Sequence, residues 1–165
     1  MAKLYANPCD ITATGFYFDS FEEFEEKSKR VRNDNWQLVE EFEIEYIEGD
    51  NPKLFAAAEI DQAKLEIWFD ELDHIADDSD EGIAIRYLLE NVLLSLDDAL
   101  RRYHEVLIYR GNIEDYARDL LDEHFDLPTI AFRYFDFEAF ARDLVMGGDV
   151  AEIQPGIWCV NAADF

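Results

Sequence analysis

The sequence predicts an α+β fold, and three observations carry that prediction. Residues 40–48, EEFEIEYIE, alternate acidic and apolar side chains, the period-two pattern of a half-buried strand. Residues 61–75 instead place Leu65, Trp68, Leu72 and Ile75 on one helical stripe. The full order of such segments, β-β-α-β-α-α-α-β-α-α-β-β, mixes short strands with helices and lacks the regular alternation of a parallel α/β chain. Weak boundaries near 53–58 and 103–111 divide it into an N-terminal α+β subdomain (1–55), a central helical one (56–103) and a C-terminal α+β one (104–165).

The chain opens on a short strand, KLYAN, and GFYF reads as a second. Ser20 caps a helix running to about Val31. Its charges fall as Glu23–Lys27, Glu25–Lys29 and Glu26–Arg30, each four apart with the acid first, so this helix neutralises itself. In the strand at 40–48, Phe42, Ile44 and Tyr46 face one way and Glu41, Glu43 and Glu45 the other. The acids then form a ladder with a step of ~6.6 Å, twice the strand rise. Along the helix at 61–75 a second stripe reads Glu66, Asp70, Asp73 and Asp77.

A further helix begins near Asp80 or Glu81 and carries Ile85, Leu88, Leu89, Val92 and Leu93. A turn at Ser95 leads to LDDALRRYH, and VLIY follows as a strand. Asn112 with Asp115 opens the helix IEDYARDLLDEHF, whose outer face is Asp115, Asp119, Asp122 and Asp126. Pro128 starts a short helical piece; Asp136 caps FEAFARDLVM, which Gly147-Gly148 ends. The chain closes as a hairpin turning at Pro155-Gly156.

Composition separates this chain from a disordered acidic tail: 49% of residues are hydrophobic, with 13 Phe, 8 Tyr and 3 Trp, yet the formal charge is −25. Such charge opposes compaction, so a fold that keeps it has a use for the field or an unusual solvent. The charge is segmental. Residues 40–81 hold 16 acids and 2 bases, and residues 103–165 hold 13 acids and 4 bases. Between them, residues 82–102 hold 3 of each and form the most apolar block. Ile85, Leu88, Leu89, Val92 and Leu93 of that block are candidates for a dimer contact or an inter-domain contact, against plain core. Cys9 and Cys159 form no ligand pattern and read as thiols in a reducing compartment. No signal peptide is legible and no apolar run approaches ~18 residues, so a soluble cytoplasmic protein without membrane contact is expected.

The stretch ELDHIADDSDEG, residues 71–82, invites a calcium site. Placing Gly82 at the sixth position of an EF-hand loop puts Asp77, Ser79 and Glu81 at the first, third and fifth. The twelfth, which needs a bidentate Glu, is then Leu88, so the loop fails where affinity should arise. A helix start, where negative charge is favoured, explains Asp77, Asp78 and Asp80 as well. The histidines, His74, His104 and His124, have no zincin spacing, and there is no CxxC, GxSxG, GxGxxG or P-loop. Neither an enzyme nor a cofactor or metal is expected. Duplex binding is opposed by sign, because phosphates call for Lys and Arg and acids here outnumber bases 39 to 14.

The inverse reading fits better: a surface that imitates nucleic acid. B-DNA carries one charge per ~1.7 Å of axis, so the net charge matches at most roughly twelve base pairs. One helical stripe supplies a charge only every ~5–6 Å, so imitation needs several rows along an elongated body, and two chains. The rows at 40–48, 61–77 and 113–126 each have an apolar underside. Two other readings stay open: an acidic module for another basic DNA-binding protein, and a salt-adapted protein whose acidity serves solubility.

The segment RYFDFEAFARDLVMGGDVAEI, residues 133–153, resembles the C-terminal signature of the ArdA-type antirestriction proteins. IEDYARDLLDEHFDLP resembles the helix that precedes it in that family; AAAEIDQAKLEIWFDELD and KLYANPCD fit more loosely. The resemblance implies an inhibitor of type I restriction-modification enzymes that lies in their DNA channel, against the methyltransferase core. It also implies elongated homodimers of small-domain protomers, carried on mobile elements. The segment ATGFYFDSFEEFEEKSKRVRND matches the family pattern poorly, so the N-terminal piece either contacts something else or only completes the fold.

Overall fold

The structure, a computed structural model, describes residues 1–125 and 127–165. It is α+β, with two three-stranded antiparallel sheets among short helices. It forms two units, Met1–Ala99 and Leu100–Phe165.

Unit 1 starts with β1 (Lys3–Pro8), β2 (Phe16–Phe18) and β3 (Phe42–Glu48), in the order β2-β1-β3. Register sets Leu4 against Tyr46, Tyr5 against Glu45 and Ala6 against Ile44. Period two therefore buries Leu4, Ala6, Phe42 and Ile44 on one face. Helix α1 (Phe21–Ser28) covers that face through Phe24. The rings of Phe16, Phe18, Phe24 and Phe42 meet with centroids 5.1–6.0 Å apart. Each such pair adds about 0.5–1.5 kcal/mol beyond its burial. The helix starts at Ser20, whose Oγ accepts from the Glu23 N–H at 3.2 Å. The Glu23 carboxylate reaches back to the Asp19 N–H at 3.0 Å, so two orphan donors are satisfied at once.

The rest of unit 1 is helical: α2 (Pro52–Ala57), a 3₁₀ turn (Gln62–Lys64), α3 (Leu65–Ile67), a π turn (Trp68–Leu72) and α4 (Asp80–Glu90). Helix α5 (Leu96–Arg102) runs across the unit boundary. The one helix expected over 61–75 is thus three short pieces of different pitch. In the π turn the Asp73 N–H donates to the Trp68 carbonyl at 2.8 Å, which inserts a residue into the turn and shifts later side chains around the axis. Trp68 and Leu72 stay fully buried, and Asp73 turns inward with them. Trp68 meets the rings of Phe55 and Tyr46 edge-on, so residues on both sides of position 55 share one core.

Ser79 caps α4, accepting from the Gly82 N–H at 3.0 Å and donating to the Ala76 carbonyl at 2.7 Å. That turn leaves no room at Gly82, where a Cβ would stand 2.3 Å from the Ala76 oxygen. Gly82→Ala is expected to destabilise the unit by about 1–3 kcal/mol, read as a lower thermal midpoint.

Unit 2 holds β4 (Ile108–Arg110), β5 (Ala151–Gln154) and β6 (Ile157–Cys159), in the order β4-β6-β5. The β5–β6 turn is Pro155-Gly156, with Gly156 at φ +74°. Helices α6 (Ile113–His124) and α8 (Phe137–Gly147) pack together, with α7 (Thr129–Arg133) between them in sequence. Asn112 caps α6 and Asp136 caps α8; Gly148, at φ +82°, ends α8 in the left-handed conformation. Phe137 is buried, and the Arg118 guanidinium lies over its ring at 4.1 Å. Neither Cys9 nor Cys159 is in a disulfide.

Candidate functional site

The acidic rows can be followed residue by residue. Glu41, Glu43 and Glu45 are all exposed, the last two on the outer face of β3. Beneath them lie Phe42 and Ile44, which fix the strand against the core. Register brings Tyr5 beside Glu45 and Tyr17 beside Tyr5, so the same outer face carries two rings, tilted at 54° with centroids 4.8 Å apart. Asn7 Nδ2 donates to Glu45 at 3.1 Å, and the Lys3 ammonium sits 5.1 Å from the Tyr17 ring centre. This aromatic strip was legible in KLYANP, where Tyr5 falls out of phase with the buried Leu4 and Ala6.

The second row is split by the structure. Glu66 and Asp70 are exposed. Asp73 and Asp77 are buried, so their assignment to the outer surface is corrected. Asp73 Oδ1 accepts from the Ala2 N–H at 2.5 Å, tying the start of β1 to the helical segment. Both Asp77 oxygens accept from the N-terminus of α2, at 2.9 Å from the Lys53 N–H and 2.8 Å from the Leu54 N–H. These two acids hold the unit together from inside. The cause is the π turn for Asp73, and for Asp77 the need of α2 for a cap: Asn51 makes no side-chain cap bond, and a residue distant in sequence supplies it.

The third row lies on α6. Asp115, Asp119 and Asp122 are exposed, while Ala117 and Leu121 are buried beneath them. Successive acids three and four residues apart stand ~5–6 Å from one another. Asp126 lies outside the described residues. Tyr109 on β4 packs its ring 5.2 Å from that of Tyr116. Burial pushes the Tyr109 hydroxyl up from its ordinary pKa, and the Asp115 and Asp119 carboxylates push it the same way. The Tyr109 ring on β4 thus stands within the field of the α6 carboxylates.

Among the described residues, Glu41, Glu43, Glu66, Asp70, Asp115, Asp119 and Asp122 are in no ion pair with a base. The acids of α1 differ: Glu23–Lys27, Glu25–Lys29 and Glu26–Arg30 pair at 2.5, 3.5 and 2.5 Å. Hydrogen bonding from Lys27 first, and from the Asp19 N–H next, holds the Glu23 carboxyl below its ordinary pKa. Three of the four carboxylates on α1 are thus paired, and among the described residues those of the exposed rows are not.

Of the apolar candidates, Ile85 and Leu88 are fully buried in unit 1, which makes them core. Leu89 and Val92 are half-buried, and Leu93 is exposed at φ +62°. Leu89, Leu93 and Leu96 border a groove of about 410 Å³ with Ala57 and Ala58.

Among the described residues no group of three or more His, Cys, Asp or Glu is placed to hold a metal ion, and no helix is long and apolar enough to cross a membrane. Comparison with curated proteins and with solved structures gives no match. The family model of the antirestriction protein ArdA matches residues 12–158, which takes in β2, β3, all three acidic rows and the 133–153 segment. The chain therefore belongs to the ArdA family of antirestriction proteins, non-catalytic inhibitors that act by imitating DNA.

Proposed function

We propose that the protein occupies the duplex-binding channel of a type I restriction-modification enzyme, against its methyltransferase core, with the exposed acidic rows standing in for phosphates. The observation that carries this reading is the contrast between the rows and α1. Among the described residues, the exposed carboxylates of the rows stand on apolar undersides without cationic partners, whereas α1 pairs three of its four. Lys and Arg of a channel that normally neutralises phosphate would supply the missing partners. One protomer matches at most roughly twelve base pairs, so a homodimer belongs to this reading. The cytoplasm, where such enzymes meet incoming DNA, is the proposed site of action.

The test is competition between the purified protein and duplex DNA for the methyltransferase core, over a salt series. Inhibition should weaken about tenfold or more between roughly 50 and 200 mM salt, the behaviour of a contact made by replacing phosphates. The protein itself should neither bind nor cut duplex. Inhibition that is indifferent to salt counts against the channel.

A further inference from the structure

The loop that follows α1 holds a tryptophan outward at some cost. Trp36 is 83% exposed, and its backbone is left-handed at φ +62°, a conformation unfavourable to bulky side chains and adopted readily only by Gly and, less so, Asn and Asp. The turn is fixed by Asn33. Its Oδ1 accepts from the Asn35 N–H at 3.0 Å and the Gln37 N–H at 2.9 Å. Its carbonyl accepts from the Trp36 N–H at 2.9 Å, and its N–H donates to the Gln37 carbonyl at 3.0 Å. A bridge between Arg32 and Leu38 closes the base.

A second loop is tied to the first. Asn33 Nδ2 donates to Asp10 at 2.9 Å, and the other Asp10 oxygen accepts from the Thr12 N–H and hydroxyl at 3.0 and 2.7 Å. Between Asp10 and Thr12 stands Ile11, 97% exposed. Two braced loops thus present a Trp and an Ile to solvent. The fold gains nothing from the Trp36 ring, since an outlier this exposed buries almost no surface. Beside the loops a groove of about 470 Å³ runs past Leu38 to Glu40 and Glu41, where the β3 acidic row begins.

We infer that the Trp36 loop is a preorganised anchor for an apolar pocket on the enzyme whose basic channel takes the acidic rows, engaged alongside the Glu41–Glu45 row. The inference rests on the proposed function for the partner's identity. The partner is a protein, because a chain of net charge −25 is repelled by nucleic acid and by anionic membrane, and the loop adjoins Glu40 and Glu41. A braced loop loses little freedom on binding, and Trp is the residue type most enriched where a few side chains dominate an interface. The acidic rows attract any basic channel; a Trp that must find its pocket selects one.

Binding of the full chain to the methyltransferase core is measured at low and high salt for the wild type, Trp36→Asn and Trp36→Gly. A further variant carries Glu43→Gln and Glu45→Gln. Asn and Gly both accept the left-handed backbone, so the loop keeps its shape and thermal unfolding should not fall. Both Trp36 variants should bind about 10–100-fold more weakly at either salt, with an unchanged salt slope. The carboxamide variant should lose affinity mainly at low salt. Trp36 variants within twofold of wild type overturn the anchor and leave the channel reading intact. A loss confined to Trp36, with the carboxamide variant unaffected, overturns the channel reading and leaves the anchor. Failure of the wild type to bind overturns both. A shift of Trp36→Asn to a smaller assembly would make the loop a self-association contact and would also overturn the inference.

Discussion

Asp115→Asn, Asp119→Asn and Asp122→Asn, combined with Glu43→Gln and Glu45→Gln, should weaken inhibition of the restriction enzyme about 30–100-fold at low salt and flatten its salt dependence. All five side chains are exposed. A single exposed ion pair contributes about 0.2–1 kcal/mol, so five contribute at most a few kcal/mol once coupling between neighbours is allowed for. The amides preserve shape and solubility. Asp115 lies in the first turn of α6, where its charge helps the helix by a few tenths of a kcal/mol, and relief of self-repulsion offsets that loss. Folding should therefore be unchanged, and a thermal melt checks it. The matched control takes three acids from α1, with Glu23→Gln, Glu25→Gln and Glu26→Gln. Those carboxylates already have cations of their own. If the α1 set costs as much inhibition as the rows do, only total charge matters and the imitation of an ordered polyanion is wrong.

What the sequence showed and what it hid follow from how local each determinant is. The β3 row was legible because period two is a property of consecutive residues, and Phe42 and Ile44 are buried while Glu43 and Glu45 are exposed. The three ion pairs of α1 and the caps at Ser20, Asn112 and Asp136 were legible for the same reason. Asp73 and Asp77 were not. Helical spacing placed them in line with Glu66 and Asp70, but the π turn broke the phase. The donors that claim them, on Ala2, Lys53 and Leu54, lie 71, 24 and 23 residues away. A carboxylate on a stripe cannot be told from a carboxylate capping a distant helix until the chain closes. Leu93 is a case of backbone conformation rather than of distant contact. Its place in the apolar block made it a candidate for a dimer or inter-domain contact, and the structure sets it exposed on a left-handed backbone beyond the end of α4, a conformation no helical period shows.

Asp77→Ala should be the most destabilising single change among the acids, at about 2–5 kcal/mol, while Asp70→Ala should cost almost nothing. Asp77 is 6% exposed, and it alone accepts from the Lys53 and Leu54 N–H groups at the start of α2. Removing it strands two donors, each worth about 1–3 kcal/mol when left without a partner. Its main chain also matters, since the Asp77 carbonyl accepts from the buried Arg86 guanidinium at 3.2 Å. That bond survives the substitution, which bounds the loss. Beside it, Asn51 is 1% exposed and donates to the carbonyls of Leu72, Asp73 and Ile75 at 3.0–3.2 Å while accepting from the Tyr46 hydroxyl at 2.8 Å. A single amide thus joins the strand, α2 and the end of the π turn, so Asn51→Leu should cost a similar amount. For a unit of this size 1 kcal/mol corresponds to roughly 4–8 °C in thermal midpoint, so either variant should melt at least ~8 °C lower. Asp77→Asn should fall between, because it keeps one accepting oxygen but turns an NH₂ towards a donor. At temperatures where Asp77→Ala remains folded, its inhibition per molecule should equal that of the wild type, because no buried carboxylate reaches a partner's cations. A variant that kept its melting temperature but lost inhibition would return Asp77 to the outer surface and undo the division between supporting and displayed acids.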